Sequence, residues 1–274
     1  MFRCIMVLGN PGGGFSDISM GLLEELRLLE LNAVRDWFTP NTRVLEIGGG
    51  SGFQAKVMNS WGPEVISIDL IDSASMESPY YDVQSYNGTQ IPAAKHSFDL
   101  IFSSNVLEHV KDLSTLFSEM LRVLKPQGVA IHVLPTPAWR FWTSVTHYGY
   151  FLKMVGNVQA NGSSTNSEVV ADKHAVQAPK RGWVRKLSGK MFAGPHGEFP
   201  NAVSELYYFS KGRWLKTFSD NGFIVQQVLS TNLYYSGYLL CPNLSMETRQ
   251  ALSRWLGAAC RVYITTKAEE QPTR

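Results

Sequence analysis

A glycine-rich turn between two short apolar runs carries the clearest chemical pattern in this 274-residue chain. Glu46 comes near the end of the first run, and Gly48, Gly50 and Gly52 alternate through the turn that opens a helix. Glycines permit a tight turn and a close backbone approach to a ligand, and the start of a helix offers N–H groups to an anion. Asp69 follows seventeen residues after Gly52, where a carboxylate can accept hydrogen bonds from ribose hydroxyls. The spacing predicts a ligand that contains a nucleoside.

Two cofactor classes and one structural alternative fit this turn. Residues 50–55 also satisfy G-x-G-x-x-A, the fingerprint of dinucleotides such as NAD, although that pattern alone is weakly specific. The structural alternative is a turn that only reverses the chain. Asp69 at the expected spacing favours a bound ligand, and the choice of cofactor depends on the rest of the chain.

Side chains that could accept a proton lie further along the sequence. His109 follows an apolar run in NVLEHV, and His196 and Glu198 lie in GPHGEFPN. Histidine titrates near neutral pH and is therefore a candidate general base. Glu198 and Glu205 could instead orient a base or bind an acceptor hydroxyl. The alternatives are an ordinary helix or loop histidine and solvated carboxylates.

Apolar periodicity predicts the elements that position these residues. Residues 18–38 read as an amphipathic helix, with Glu24, Arg27, Glu30 and Asp36 off its apolar face. Strands are predicted for RVLEI, VISIDL, FDLIFSS, VAIHVLP, FIVQQVL and RVYITTK. Helices are predicted for FQAKVMNSW, VLEHVKDLSTLFSEMLRVL, ELYYFSKGRWLKTFSDNG and ETRQALSRWLGAA. Strands that alternate with helices indicate crossover connections and a parallel sheet.

The strand-helix alternation stops between about residues 135 and 206, which indicates one domain with an insertion. We divide it into an N-terminal helix at 1–40, a cofactor-binding core at 41–136, a substrate-binding insertion at 137–205, the rest of the core at 206–267 and a tail at 268–274. The insertion begins with an aromatic helical stripe, for which a core position is the preferred interpretation and a membrane-interfacial helix is the alternative. The stripe comprises Phe141, Trp142, Val145, Tyr148, Phe151, Leu152 and Val155.

Composition excludes several classes of protein. The chain carries 44% hydrophobic residues and a net charge of +2, which predicts a folded globular protein and argues against nucleic-acid binding through a basic surface. Locally, residues 173–190 hold six Lys and Arg and no acid, typical of a solvated loop or a patch for anionic groups. Three separated cysteines form no metal pattern, so no metal is expected. Without a signal peptide or membrane span, we expect a cytoplasmic protein, with peripheral membrane contact through 137–190 as a further hypothesis.

The turn resembles a known family once the flanking segments are added to it. E-x-G-x-G-x-G, with IPAAKHSFDLIFSSNVLEHV and LRVLKPQGVAIHV in order after it, closely resembles the class I S-adenosylmethionine-dependent methyltransferases of the type 11-like group. The resemblance covers residues 44–134 and resumes more weakly in WLKTFSDNGFIV and VYITTK. It implies an α/β fold with a doubly wound, mostly parallel seven-stranded sheet, and an insertion between the fifth strand and the last core helix.

The resemblance also implies roles for individual residues. Gly48, Gly50 and Gly52 would approach the methionine part of S-adenosylmethionine, with Glu46 near its amino group. Asp69 would hold the ribose, and the backbone at Leu70 would flank the adenine. Asn87 stands where the family often has an acidic residue for the adenine amino group, and Asn105 would line the sulfur end.

The implied function is S-adenosylmethionine-dependent methylation, through O-methylation, of a small-molecule, sugar or lipid-linked sugar acceptor. HGEFPNAVSELYYFSKGRW is similar to bacterial methyltransferases of surface-polysaccharide biosynthesis, which suggests the glycan. The alternatives are a non-catalytic S-adenosylmethionine-binding regulatory protein and an NAD-dependent oxidoreductase. The identity of the acceptor is not encoded in a recognisable motif.

Overall fold

The structure is a computed structural model that describes residues 20–70, 80–162, 202–236 and 244–268. His196, Glu198 and the basic run at 173–190 lie outside these ranges. Of residues 150–162 only the backbone is described, so the predicted packing of Phe151, Leu152 and Val155 also falls outside.

Seven strands form a single sheet. They are β1 (Arg43–Ile47), β2 (Glu64–Leu70), β3 (Val83–Tyr86), β4 (Phe98–Ser104), β5 (Leu124–Pro135), β6 (Phe223–Ser230) and β7 (Cys260–Lys267). The order across the sheet is β3-β2-β1-β4-β5-β7-β6, and only β7 runs antiparallel to its neighbours. The predicted fold class, a doubly wound and mostly parallel seven-stranded sheet, is confirmed. In this sheet β7 lies between β5 and β6. The dinucleotide-binding fold has the strand order 3-2-1-4-5-6, without an antiparallel strand at that place.

The helices of the described ranges cover both faces of this sheet. They are α1 (Met20–Asn32), α2 (Phe53–Ser60), α3 (Leu113–Val123), α4 (Pro137–Gly162), α5 (Ala202–Tyr208), α6 (Lys211–Asp220) and α7 (Met246–Leu256). Short 3-10 turns span Arg35–Trp37 and Leu107–His109. None of the helices in the described ranges combines the length and apolar character needed to cross a bilayer.

Two predicted helices are each broken by a capping side chain. The helix predicted from residue 106 is a 3-10 turn followed by α3, whose start is capped because Asp112 accepts a hydrogen bond from the Thr115 N–H at 3.0 Å. The helix predicted from residue 205 divides into α5 and α6, and Ser210 accepts from the Arg213 N–H at 3.3 Å. Ser and Asp favour helix starts over helix interiors because their side chains bind free backbone N–H groups. The same chemistry ends one helix and begins the next.

Alternate residues along the strands face two separate apolar clusters. On β4, Leu100 and Phe102 pack in the cluster beneath α1 and α2, whereas Ile101 packs in the cluster beneath α3 and α6. This alternation is the period of two expected for a strand that is buried on both faces. The core therefore holds the ends of the strands, and the residues that follow them, in fixed positions.

The preferred interpretation of the aromatic stripe on α4 is wrong for three of its residues. Phe141, Val145 and Tyr148 are 50%, 43% and 43% exposed, so they do not pack as core. The buried face of the helix is instead set by Trp139 and Arg140, which are 3% exposed. The buried face of α4 thus lies one to two residues away from the face that the sequence pattern predicted. Trp142 lies at the boundary and donates its indole N–H to the carbonyl of Leu256 at 2.8 Å.

Candidate functional site

The glycine turn joins β1 to α2 at the carboxyl end of the sheet. The N–H groups of Gly48 and Gly49 both donate to the Ile68 carbonyl, at 2.8 and 3.1 Å, which ties the turn to β2. In the sheet order, β1 lies beside β4 and parallel to it, so the strand order reverses between these two strands. A crevice at such a reversal is the general ligand position in open α/β sheets.

Gly48 and Gly50 share a positive φ but differ in what surrounds them. Their φ values are +79° and +54°, a region that residues with a Cβ rarely adopt. A Cβ added to Gly48 would lie 2.3 Å from Cγ2 of Val106, whereas one added to Gly50 would meet no atom of the residues that the structure describes within 4 Å. Gly48 is therefore required by packing within the protein. Gly50 faces open space of the kind that a bound ligand would fill.

The third predicted glycine is also confined by the protein itself. Gly52 has a φ of +77°, and an added Cβ would lie 2.8 Å from the backbone nitrogen and oxygen of Tyr81. Gly52 also precedes α2, and no side chain caps the start of that helix. The free N–H groups of the first turn are suited to an anionic group such as a carboxylate.

Asp69 lies directly beside the turn. Its carboxylate accepts hydrogen bonds from the Gly50 N–H and the Leu70 N–H, both at 2.7 Å. Burial raises its pKa, and these two N–H groups act in the opposite direction. A carboxylate has about four lone-pair positions. Two remain for other donors, so the geometry fits the predicted contact with ribose hydroxyls.

Glu46 lies beneath the turn. Its Oε2 accepts from the Ser67 hydroxyl at 2.5 Å, and burial raises the pKa of the Glu46 carboxyl to about 8. A Cβ on Gly49 would meet this pair, since it would lie 2.0 Å from Ser67 Oγ and 3.0 Å from Glu46 Oε2. The carboxyl thus supports the turn from within, a role that the sequence did not indicate for Ser67 or Gly49. Its proximity to an amino group stays a prediction.

Asn87 uses its amide oxygen locally. Oδ1 accepts from the N–H groups of Thr89 and Gln90, both at 3.0 Å, and so forms the turn after β3. Since both lone pairs of this oxygen are engaged, this geometry speaks against the predicted bond from an adenine amino group. Leu70, whose backbone was predicted to flank the adenine, ends β2 and reaches toward Gly88.

Asn105 is buried at the end of β4, next to the 3-10 turn. Its φ is +54°, its side-chain amide donates to Ser104 Oγ at 3.1 Å, and its oxygen accepts from the Cys260 thiol at 3.5 Å. A non-glycine residue with positive φ is uncommon and is held here by its surroundings. The predicted contact of Asn105 with the sulfur end of a cofactor stays a prediction.

A buried polar cluster lies on the other side of this loop. Arg27 of α1 donates from Nη1 to Ser104 Oγ at 3.0 Å and pairs with Glu30 at 2.6 Å. The side chain of Glu30 is fully buried, so its predicted position on the solvated face of an amphipathic helix is wrong. Glu205, predicted to be solvated or to orient a base, is also fully buried and pairs with Arg140 at 2.9 Å.

Sequence reasoning missed Glu108, which directly precedes the predicted base His109. The Glu108 side chain is fully buried, whereas that of His109 is 23% exposed. Burial raises the pKa of Glu108 to about 8, Arg27 opposes this shift, and Glu30 adds to it. The signal that could have found it is the acidic residue in NVLEHV at the end of a strand. Among the described residues, no group of three His, Cys, Asp or Glu side chains is arranged to hold a metal.

The fold and the turn define the class of this domain. A seven-stranded sheet with one antiparallel strand carries a glycine turn after β1, and the Asp69 carboxylate near the end of β2 accepts a hydrogen bond from this turn. Residues 45–132 match the family model described as a methyltransferase domain. Residues 45–132 therefore match a methyltransferase domain within a fold of the class I methyltransferase type, and S-adenosylmethionine is the cofactor that this match implies.

Known relatives resemble only part of the chain. An uncharacterized methyltransferase of Mycobacterium sp. (strain KMS) is 37% identical over 118 residues, which are 40% of this chain and 47% of that protein. A ubiquinone biosynthesis O-methyltransferase of Bartonella tribocorum is 27% identical over 149 residues, which are 48% of this chain and 60% of that protein. The chain thus spans about half the length of the curated relatives that it matches.

Solved structures share the fold over most of the chain. The crystal structure of a SAM-dependent methyltransferase from Archaeoglobus fulgidus superposes with a TM-score of 0.54 and 15% identity, and the match covers 89% of this chain and 94% of that one. At this level of identity the likeness concerns the fold alone.

Proposed function

We propose that this protein transfers a methyl group from S-adenosylmethionine to a small-molecule, sugar or lipid-linked sugar acceptor, by O-methylation. The observation that carries the proposal is the open space above Gly50, next to the Asp69 carboxylate and across one loop from a buried polar cluster. When bound there, S-adenosylmethionine supplies a methyl group on a sulfonium sulfur. The strand order and the match to a methyltransferase domain both argue against the alternative of an NAD-dependent oxidoreductase.

The chain's own residues have three tasks in this reaction. The turn and the free start of α2 bind the charged end of the cofactor, and Asp69 holds the ribose. Arg27 of α1 donates to Ser104 at the end of β4, α4 begins shortly after β5, and Glu205 of α5 pairs with Arg140 of α4, so these helices are suited to bind an acceptor near the ends of β4 and β5. Alignment of the two reactants supplies much of the rate in such a transfer.

An S-adenosylhomocysteine release assay tests this function. The protein is incubated with S-adenosylmethionine and a panel of phenols, sugars, lipid-linked sugars and amines, and calorimetry measures binding of S-adenosylhomocysteine and of NAD. We expect saturable binding of S-adenosylhomocysteine and acceptor-dependent turnover. Binding without turnover across the panel would favour the regulatory alternative, and saturable binding of NAD alone would refute the proposal.

We also propose peripheral membrane contact through residues 137–190. The exposed side chains of Phe141, Val145 and Tyr148 follow each other at helical spacing along one face of α4. Aromatic and aliphatic residues on one helix face suit the headgroup boundary, and the six basic residues of 173–190 suit anionic lipids. A lipid-linked acceptor would be presented at such a surface.

Vesicle co-sedimentation tests this contact. We expect the protein to sediment with vesicles of phosphatidylglycerol and phosphatidylcholine more than with phosphatidylcholine alone, and Phe141→Ser with Tyr148→Ser to reduce the bound fraction. Substitution of the exposed Leu28, on another helix, by Ser is the matched control. Equal sedimentation of all three proteins would count against a membrane face on α4.

A further inference from the structure

Five ionisable side chains, four of them buried and Arg27 largely so, interact electrostatically near the end of β4. Arg27 pairs with Glu30 at 2.6 Å, and Arg140 pairs with Glu205 at 2.9 Å. The fifth side chain, Glu108, takes no part in either ion pair. These five described side chains comprise three carboxyl groups and two cations. Glu108 is the third carboxyl group.

Among the described residues, no other residue donates a hydrogen bond to the Glu108 carboxyl, and only its own backbone N–H acts on it. Both oxygens are shielded from water. His109 Nε2 lies 3.9 Å from Oε1, which is too far for a hydrogen bond. A buried polar group without a partner is destabilising by about 1–3 kcal/mol, so such groups are uncommon in folded proteins. A donor on a bound ligand would remove this penalty.

The position of Glu108 relates it to the methyl donor. Two residues before it, Val106 packs directly on Gly48, because a Cβ on that glycine would lie 2.3 Å from Val106 Cγ2. One 3-10 turn thus contacts the cofactor turn through Val106 and places Glu108 in the buried cluster. A ligand group that donates to Glu108 would lie at the end of β4, near the donor site.

We propose, on the basis of the proposed methyltransferase function, that Glu108 is the general base that accepts the proton of the acceptor's hydroxyl group. In this step the hydroxyl oxygen forms a bond to the methyl carbon while the methyl–sulfur bond breaks and its electron pair goes to sulfur. The hydroxyl proton moves to an oxygen of Glu108 and then to water when the methyl ether leaves. The sulfonium charge is neutralised, and the products are the methyl ether and S-adenosylhomocysteine.

The electrostatic surroundings suit this role. Burial raises the pKa of Glu108 to about 8, Arg27 on α1 lowers it, and Glu30 and Glu205 raise it further. The Cys260 thiol on β7 also lies within electrostatic reach. A base with a pKa near the working pH is the most effective for general base catalysis. Ordinary glutamate, with a pKa of about 4.3, would be a weaker base.

Two adjacent residues provide a matched pair of variants. Glu108→Gln preserves shape and removes the base, whereas His109→Asn removes the rival base at the next position. Each is assayed for S-adenosylhomocysteine release between pH 6 and 10, with the panel of phenols, sugars and amines. The dissociation constant of S-adenosylhomocysteine is measured in parallel as the check on folding and on the donor site.

We expect the wild-type rate with a hydroxyl acceptor to rise with pH through about 8. Glu108→Gln should lower that rate about 100-fold or more and abolish the rise, since general bases contribute about 10²–10⁴. His109→Asn tests the rival base: if it abolished the rise with pH while Glu108→Gln kept that rise, the inference would be overturned. Turnover by Glu108→Gln at the wild-type rate, or turnover by the wild type of amines alone, would overturn the inference while leaving the methyltransferase function intact. No turnover by the wild type would overturn the function itself.

A measurement without acceptor tests the buried carboxyl directly. A carboxyl whose folded pKa is raised contributes most to stability below its unfolded pKa, and that contribution is lost as pH rises toward 8. Glu108→Gln should therefore melt at the wild-type temperature near pH 5 and about 5 °C or more above it at pH 9. Equal melting temperatures at both pH values would show that Glu108 is solvated or paired, and would overturn the geometry on which the inference rests.

Discussion

The two glycines at the centre of the turn should respond differently to alanine, and the difference separates packing from ligand binding. Both residues have a positive φ, so alanine is strained by about 1–2 kcal/mol at either position. At Gly50 the added methyl group meets no atom of the described residues within 4 Å. At Gly48 it overlaps Val106, and overpacking of this kind adds about 1–3 kcal/mol.

These values predict two distinct phenotypes. Gly50→Ala should destabilise the protein by about 1–2 kcal/mol, which for a chain of this size lowers the melting temperature by about 2–8 °C. Gly48→Ala should destabilise it by about 2–5 kcal/mol. Because the Gly50 methyl group would occupy ligand space, Gly50→Ala should weaken binding of S-adenosylhomocysteine about tenfold or more, although it is the milder variant for stability.

Differential scanning calorimetry and titration calorimetry measure the two effects separately. Val106→Ala provides the control, since it removes the side-chain atoms with which the Gly48 methyl group collides. Combined with Gly48→Ala, it should restore about 1–3 kcal/mol, whereas combined with Gly50→Ala it should be additive. If Gly50→Ala bound S-adenosylhomocysteine as tightly as the wild type, the open space would not be the cofactor site. If the two alanine variants were equally stable, the overlap with Val106 would not exist.

Two further predictions concern charged groups of the site. Asp69→Ala should weaken S-adenosylhomocysteine binding more than tenfold in titration calorimetry, because the ribose hydroxyls lose a charged acceptor; an unchanged dissociation constant would contradict the assignment. Glu205→Gln should destabilise the protein by about 3–5 kcal/mol in urea unfolding, since it leaves the Arg140 guanidinium buried without its charge partner. The apolar pair Arg140→Met with Glu205→Leu should recover most of that loss, and a Glu205→Gln variant as stable as the wild type would show that the ion pair is not needed.

The donor half of the site was predictable because its signal is local. The glycines and Glu46 lie within seven consecutive residues, and Asp69 ends the next strand. A parallel sheet brings the carboxyl ends of adjacent strands to one edge, so the spacing in sequence implies proximity in space. The finer division of tasks was not predictable. Gly48 packs against Val106, whereas Gly50 does not, and this difference depends on a loop more than fifty residues further along the chain.

The cluster of buried charges was not predictable, because its residues are far apart in the sequence and meet only in the folded structure. Arg27, Glu30 and Glu205 each read as a charge on a solvated helix face, since periodicity reports one buried stripe and treats all other positions as exposed. In the structure these charges are paired and buried away from solvent, and Arg27 also donates to Ser104 at the end of β4. The aromatic stripe of α4 failed for the related reason that periodicity gives a spacing but leaves the rotation of the helix about its axis undetermined.

The loop between β4 and α3 couples the two halves of the site. Val106 packs on the glycine turn, and Glu108, in the 3-10 turn that Val106 precedes, is buried among the charged side chains where we propose that the acceptor binds. Because the two residues are only two positions apart, we expect a shift of Val106 to be transmitted to Glu108. Displacement of Val106 by an alanine at Gly48 would therefore also displace the Glu108 carboxyl, and an enzyme perturbed in this way would lose rate in the transfer step as well as affinity for its cofactor. Alanine at Gly50 leaves Val106 in place, so its loss would be confined to cofactor binding.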